Sequence, residues 1–498
     1  MNEQGNPGDF GTRPSPLLSL VPLLALTTLL FISIRIFGSD ALNGSSQIVL
    51  LASTGVCTLI AMLCCRTPWK TIETGITRNV TGIAPALFIL LLIGALSGSW
   101  MVSGVVPTLI YYGMKIIPPS VFLASTCAIC AVVSVITGSS WTTVATIGVA
   151  LLGIGQAQGY SDAWIAGAII SGAYFGDKVS PLSDTTVLAS SVTGTPLFSH
   201  IRYMLVTTVP SVTIALVMFL VAGFMHSSGE AEQMNDYTMR LADVFNISPW
   251  LLLVPAVTGL LIARKTPATI TLFIAAVMAG IFALIFQPHI LAAIAGEAST
   301  GAEGQFKGLL VSFFGDTNIE TGSMALDELV ATGGMGGMMN TLWLILCAMS
   351  FGGAMTASGM LASIISTVIR FMRSRVGVVG STVVSGLFFN LATGDQYMSI
   401  LLTGNMFKGI YLDKGYETRL LSRTIEDAVT VTSPLIPWNT CGMTQGAVLG
   451  VSAFVYLPYC FFNIISPLMT LAVAALGFKI VRREPYSAAE DAGNARDW

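Results

Sequence analysis

Asp177, Lys178 and Asp184 stand within the run Phe175-Gly-Asp-Lys-Val-Ser-Pro-Leu-Ser-Asp-Thr-Thr186, in an otherwise apolar region. Each ionised group would cost roughly 2.5–3.5 kcal/mol at the centre of a membrane-spanning helix, so each requires a partner or a purpose. Pro181 removes a backbone donor, and the unwound turn it produces frees carbonyl oxygens. Ser180, Ser183, Thr185 and Thr186 add hydroxyls, and the two carboxylates add charge. Hard oxygen donors without sulfur or imidazole suit a hard cation, and Na+ is the usual one at such breaks. Asp177 and Asp184 are therefore the candidate ligands of a transported Na+. A proton and a cation compete for the same carboxylate: protonation expels Na+, Na+ expels the proton, and that competition suffices for exchange. The bland alternative is an internal Asp177–Lys178 or Asp184–Lys178 pair that only neutralises buried charge. Lys178 itself reads as a counter-charge or as a side chain snorkelling to the cytoplasm.

A second set of polar residues interrupts the other half of the chain. Asp395 lies at a Thr-Gly-Asp-Gln tip, with Asn390 about one helical turn earlier, and Ser433-Pro434-Leu435 is followed by Asn439 and Thr440. Asn439 and Thr440 offer neutral oxygens where the first half offers Asp184 and Thr185. Ser139 and Ser140 occupy the corresponding tip of the first half. Glu426 and Asp427 read equally as solvated groups near the membrane face, paired with Arg423, or as a second ion site. Trp141 and Trp438 flank the tips and read as packed aromatics or cavity caps. The glycines of 333–337 mark a loose loop or close helix packing.

The elements that must position these residues occur twice. Ser103-Gly104, Thr137-Gly138 and Ser180-Pro181-Leu182 recur as Ser358-Gly359, Thr393-Gly394 and Ser433-Pro434-Leu435, at offsets of 255, 256 and 253 residues (358−103, 393−137, 433−180). Duplicated hydrophobic halves interrupted at matching places point to a secondary transporter with its site where the broken segments meet. The fold class expected is an all-α polytopic membrane protein, with inverted repeats, broken helices, two re-entrant hairpins and 10–12 transmembrane segments.

Composition agrees. Of 498 residues, 53% are hydrophobic and only 10% charged, against about a quarter charged in soluble chains, and the mean hydropathy is +0.77. The formal net charge of −3 provides no basic surface for nucleic acid. Eight cysteines, two of them spaced as Cys127-Ala-Ile-Cys130 inside an apolar run, and three histidines form no zinc-spaced cluster, which leaves a metal hydrolase without support. No Walker A sequence occurs, so gradients rather than ATP would drive transport. No cofactor is expected, and the chain reads as a transporter rather than an enzyme.

Spanning-length apolar segments begin near Leu17, Gln47, Gly82, Ile201, Trp250, Ala268, Met339 and Ser452; between them, 120–155, 163–198, 376–411 and 416–451 are too long for one straight span. If 120–155 and 376–411 return on the face they enter, while 163–198 and 416–451 cross once, every basic cluster falls in the cytoplasm. The acidic loops 230–243 and 297–328 then fall outside. The division is a cytoplasmic tail (1–16), two transmembrane helices with a cytoplasmic linker (17–80), repeat 1 (81–224), outside loops with a connecting helix pair (225–337), repeat 2 (338–478) and a cytoplasmic tail (479–498). Three crossings per repeat is odd, so the copies are inverted in the cytoplasmic membrane.

The stretch 172–208, centred on GDKVSPLSDTT, resembles the signature of the NhaC family of Na+/H+ antiporters. TGDQYMSILLTGNMFK (393–408) and SPLIPWNTCG (433–442) resemble that family's second-half motif. The resemblance implies the ion-transporter superfamily, with inverted repeats and re-entrant hairpins, and Na+/H+ exchange as the default activity. The family also includes exchangers of Na+ plus lactate for protons plus malate, so an organic solute is not excluded. Na+ and H+ would be the transported partners, in a lipid bilayer, and a homodimer is a possible assembly.

The runner-up is an organic-anion or amino-acid exchanger on the same scaffold. It would want an arginine in the cavity, and none is read within the broken segments. An intramembrane aspartyl protease using Asp177 and Asp395 lacks the Tyr-Asp and Gly-x-Gly-Asp settings and leaves the duplication unexplained. A passive channel conflicts with nothing local, but paired broken helices are more characteristic of alternating access. The topology yields a direct prediction. Single cysteines at Asn235 and Gln305, in a cysteine-free background, should react with impermeant maleimide added outside intact cells. Labelling of either only after permeabilisation would overturn the inverted scheme.

Overall fold

Long apolar runs with few internal prolines fold as helices because no other open structure satisfies its own backbone inside a bilayer. The computed structural model describes residues 14–37, 44–225, 239–264, 266–296, 301–319, 321, 327, 330–368, 372 and 374–480. The two tails beyond these limits, Glu230, Glu232, Asp236, Lys265, Glu297, Glu320, Glu328, Arg370, Arg373, Arg482 and Arg483 lie outside the described residues. Among the described residues nine helices are long and apolar enough to span a membrane, or ten if the bent pair Thr440–Leu449 and Ala453–Tyr459 forms one span. The expected first span is the helix Pro16–Phe37. The segment beginning near Ser452 is not one straight helix: Ala453–Tyr456 and a short turn precede Phe461–Leu476.

The duplicated sequence signals are duplicated helix breaks. Ala84–Val102 and Val105–Ile116 flank Gly104, as Met339–Ala357 and Met360–Val368 flank Gly359. Both glycines are left-handed, with φ of 80° and 72°. Phe122–Thr137 turns at Gly138 (φ 68°) into the helical segment 140–157, and Arg375–Thr393 turns at Gly394 (φ 67°) into Gln396–Asp413. The threonine of each tip makes the same pair of local hydrogen bonds. Thr137 Oγ1 accepts from Ser139 N (3.1 Å) and lies 3.2 Å from Thr143 Oγ1; Thr393 Oγ1 accepts from Asp395 N (3.2 Å) and lies 3.0 Å from Ser399 Oγ. The third break separates Asp162–Val179 from Asp184–Thr193, and Thr418–Ile425 with its following turns from Thr440–Leu449.

The region read as an outside loop contains more structure than composition suggested. Gly301–Phe314 is helical and packs against Ala84–Val102, so closely that a Cβ at Gly98 would strike the carbonyl oxygen of Ser312. Gly334 lies against Gly94 in the same way, which resolves the 333–337 glycines in favour of close packing. Seven of the eight cysteines are buried free thiols.

The helix that carries Asp177 is positioned by two glycines one turn apart. Gly172 and Gly176 lie on Phe122–Thr137, where a Cβ would meet the backbone oxygens of Cys127 and Ala131, and Ser134 Oγ donates to the Ala173 carbonyl at 2.6 Å. Small residues four apart allow such backbone approach. Gly172→Ala should therefore separate the two helices and lower stability by about 1–3 kcal/mol. A thermal melt in detergent measures it; an unchanged midpoint would show that this contact does not set the helix separation.

Candidate ion site

Asp177 occupies the last turn of Asp162–Val179, where Ser180 leaves the helical conformation (ψ 130°) and Pro181 follows. It is 6% exposed. Its Oδ2 accepts from Ser140 Oγ (2.7 Å) and Ser140 N (3.2 Å), and its Oδ1 accepts from Ser183 Oγ (2.5 Å). Ser140 opens the second arm of the first hairpin, so its N–H belongs to a helix N-terminus, where negative charge is favoured. Thr185 Oγ1 lies 2.9 Å from Ser183 Oγ. The first helical tip and the Ser-Pro-Leu break of the same half of the chain thus converge on a single carboxylate, which among the described residues is bonded to hydroxyls and a backbone N–H rather than to a lysine or arginine. The four side chains Asp177, Ser140, Ser183 and Thr185 offer only hard oxygen atoms, the donor chemistry that suits a hard cation.

The other candidates are distributed differently. Ser139 accepts from Thr142 N at 3.2 Å and caps the hairpin's second arm. Ser180 Oγ donates to the Val135 carbonyl (2.8 Å), stitching the break to the hairpin's first arm. Asp184 starts the helix Asp184–Thr193 but is exposed, and the structure shows no bond from its carboxylate to this ring. In repeat 2, Asp395 takes the position of Ser139 as helix cap, accepting from Met398 N (2.8 Å) through Oδ1 and from Thr440 Oγ1 (3.3 Å) through Oδ2. Asp395 is 3% exposed. Asn439 is engaged at both ends: its Oδ1 accepts from Cys441 N (3.0 Å) and its Nδ2 donates to the Asn390 carbonyl (3.2 Å). Asn439 and Thr440 therefore hold the second tip to the second break, while Asp177, Ser140, Ser183 and Thr185 surround the first.

Lys178 neither pairs with Asp177 nor snorkels outward. It is fully buried and ion-paired with Asp427 of repeat 2, and it also donates to Ser466 Oγ at 3.0 Å. Asp427 further accepts from Ser466 Oγ (2.9 Å) and from Thr207 Oγ1 (3.0 and 2.9 Å to its two oxygens). The sequence pattern missed this partnership, although one signal was present: a buried lysine needs an acid, and Glu426-Asp427 is an acidic pair among apolar and hydroxyl residues. Glu426 and Asp427 are fully buried rather than solvated. The second broken segment also holds an arginine after all. Arg423 is fully buried, its Nε 3.8 Å from Asp427 Oδ2 and its guanidinium 4.6 Å from the centre of the Tyr203 ring. No group of three or more His, Cys, Asp or Glu residues able to hold a metal occurs among the described residues.

Comparison with known proteins places this geometry in a family. A model described as the Na+/H+ antiporter family matches residues 172–478, which include both Ser-Pro-Leu breaks, the second hairpin tip and the Lys178–Asp427 pair. The chain is 38% identical over 433 residues to the Na+/H+ antiporter NhaC of Alkalihalophilus pseudofirmus, covering 86% of this chain and 90% of that one. It is 36% identical over 408 residues to the Na+/H+ antiporter NhaC of Bacillus subtilis, covering 82% and 87% respectively. It is also 35% identical over 415 residues to the malate-2H+/Na+-lactate antiporter of Bacillus subtilis, covering 83% and 84%. With its apolar helices and both half-motifs inside the matched region, the chain belongs to the Na+/H+ antiporter family of multi-pass membrane proteins.

Proposed function

We propose that this protein exchanges Na+ for H+ across the cytoplasmic membrane by alternating access, with Na+ held at Asp177. The observation that carries the reading is the Asp177 ring: one buried carboxylate, hydroxyls from a hairpin tip and a helix break, and no cation in contact. On binding Na+, Ser140 and Ser183 would turn their hydroxyl hydrogens away and present lone pairs, while Asp177 supplies the compensating charge. Family membership supports the pair of ions, since two relatives are named as Na+/H+ antiporters. The matched breaks and tips support two repeats inserted in opposite orientation, with the hairpins returning to the face they enter; rocking one repeat against the other would expose the site to each side in turn.

A second reading, exchange of organic solutes together with the ions, is favoured by two observations. One relative is named for malate, lactate, protons and Na+. The buried Arg423 also has Nε, Nη1 and Nη2 without hydrogen-bond partners, the kind of donor a carboxylate would seek.

Purified protein in liposomes with a trapped pH dye decides between them. Na+ pulses should move protons in the wild type, and Asp177→Asn, which keeps size but removes charge, should reduce that movement to the level of protein-free liposomes. Asp184→Asn, at the exposed helix start, should retain exchange with altered apparent Na+ affinity. Normal exchange by Asp177→Asn would remove the site. Proton movement that requires malate or lactate in addition to Na+ would favour the second reading.

A further inference from the structure

Glu426 is a fully buried carboxyl with neither oxygen in a hydrogen bond. It opens a π-helical turn, Glu426–Thr430, and its polar neighbour within that turn is the Thr430 hydroxyl, which makes no bond of ordinary geometry to it. π turns interrupt the regular ladder and recur at functional sites. Arg423, one turn earlier, has three buried nitrogens without hydrogen bonds. A carboxyl and a guanidinium on one helix thus lack hydrogen bonds, the guanidinium lying only within ion-pair distance of Asp427, while Lys178 and Asp427 are directly paired. An ionised carboxylate without hydrogen bond or contacting cation is too costly to bury, so the arrangement suits Glu426 as the neutral acid.

The groups around Glu426 make a small charge count. Asp177 and Lys178 are the buried charges on the helix Asp162–Val179 packed against it, Asp427 is its neighbour in the turn, and Arg423 lies on its own helix. The helix Leu197–Met225 brings His200, whose Nδ1 is 2.8 Å from Ser422 Oγ, and Tyr203, which lies under Arg423. The other helices packed on the turn carry Asp184, Arg375, Tyr397, Lys408, Tyr411 and Asp413, none bonded to Glu426 among the described residues. Phe461–Leu476 contributes Ser466 and Asn463 but no ionisable group except the thiol of Cys460 at its start. With Glu426 protonated and no Na+ bound, Asp177 and Asp427 balance Lys178 and Arg423. Na+ at Asp177 adds one uncompensated positive charge to this buried cluster, and loss of one proton from Glu426 removes it.

We propose that the two ions occupy different carboxyls, Na+ at Asp177 and the exchanged proton at Glu426, coupled through the buried charges of Lys178, Asp427 and Arg423. This rests on the reading of Asp177 as the Na+ site. In the ionised state Glu426 gains partners already in place: Lys178 or Arg423 swings to it, and Asp427 keeps the other. Protonation releases that cation, restores the observed pairing and weakens Na+ binding. The proton lost or gained comes from water when the site opens, and no bond other than O–H changes.

Na+ binding to purified protein in detergent, measured with radioactive Na+ across a pH series, tests the proposal without requiring transport. One proton exchanged per ion makes wild-type Na+ affinity fall about tenfold per pH unit on the acid side of the coupling midpoint. Glu426→Gln imitates the protonated acid, so its affinity should stay near the weak, low-pH value of the wild type, varying less than about twofold across the same range. Glu426→Asp keeps a titrating group on a shorter stem and should keep the slope while moving the midpoint, which secures the test if the glutamine variant fails to fold. A folded Glu426→Gln with the wild-type pH slope, or a Glu426→Asp with slope and midpoint both unchanged, overturns the proposal and returns the proton to Asp177. Glu426→Gln binding Na+ far more weakly than the wild type does at its acid limit also overturns it, making Glu426 a ligand. Asp177→Asn reports separately on the site beneath: wild-type Na+ binding in that variant removes the Na+ site itself, whatever Glu426 does.

Discussion

The ion pair between Lys178 and Asp427 joins the two halves of the chain at a point sealed from bulk solvent, since both side chains are fully buried. Bringing two charges into such a place is tolerated only when geometry and further hydrogen bonds compensate for the lost hydration. Thr207 and Ser466 provide those bonds from two further helices, so four helices meet at one pair. Removing either partner would strand a buried charge, at about 3–5 kcal/mol. Any movement of these helices past one another must carry this pair along or exchange its partners. That makes it a constraint on conformational change as well as on folding.

Around the pair, the breaks put charge where helices end. Asp177 receives the N–H of Ser140 at the start of one helical arm, and Asp395 receives the N–H of Met398 at the start of the equivalent arm. Backbone donors at helix N-termini favour negative charge without a formal cation. The two tips share their turn glycine and their threonine, yet one caps its helix with Ser139 and the other with Asp395. In repeat 1 the cap is a hydroxyl, and the helix terminus is left to serve the carboxylate of the neighbouring break. In repeat 2 the carboxylate is itself the cap, bound to its own helix and to Thr440. The same backbone thus yields one carboxylate that accepts from hydroxyls of two neighbouring segments and one that caps its own helix.

What was legible in the sequence was local. Pro181, Pro434 and the glycines at 104, 138, 359 and 394 announce breaks by conformational rules that depend on a few neighbours, and each lies at a break or turn. Asp177, Ser140 and Ser183 are readable as a cluster because they stand on the tip and break of one repeat. What was not legible depends on long-range packing. The partner of Lys178 is 249 residues away, and no local rule distinguishes Asp427 from Asp177 or Asp184 as that partner. Asp184 resembles Asp177 in type and spacing, but the turn at Ser183 directs it outward. Gly301–Phe314 lies in a stretch bordered by acids, so composition suggested a loop; its small residues Gly308 and Ser312 instead allow backbone approach to neighbouring helices. Asn439 reads as an ion ligand from its polarity alone, and only the positions of Cys441 N and Asn390 O show that its side chain is occupied.

The location of the cations also separates the two ends of the site chemically. The Asp177 ring offers acceptors and hydroxyls, and its nearest sequence neighbour, Lys178, is turned away to Asp427. Its hydroxyl and carboxylate oxygens are hard donors of the kind a small cation takes, and the carboxylate carries the opposing charge. An organic carboxylate does not fit, because it would face Asp177 without a donor strong enough to offset the repulsion. The only buried guanidinium among the described residues, Arg423, lies beyond Asp427 and against Tyr203. An anionic solute would have to bind on that side of the cluster, with its charge set against Asp427. Lys178 therefore divides the cluster: by pairing with Asp427 it leaves the carboxylate of Asp177 without a lysine or arginine partner among the described residues, and keeps the buried positive charge on the Asp427 side.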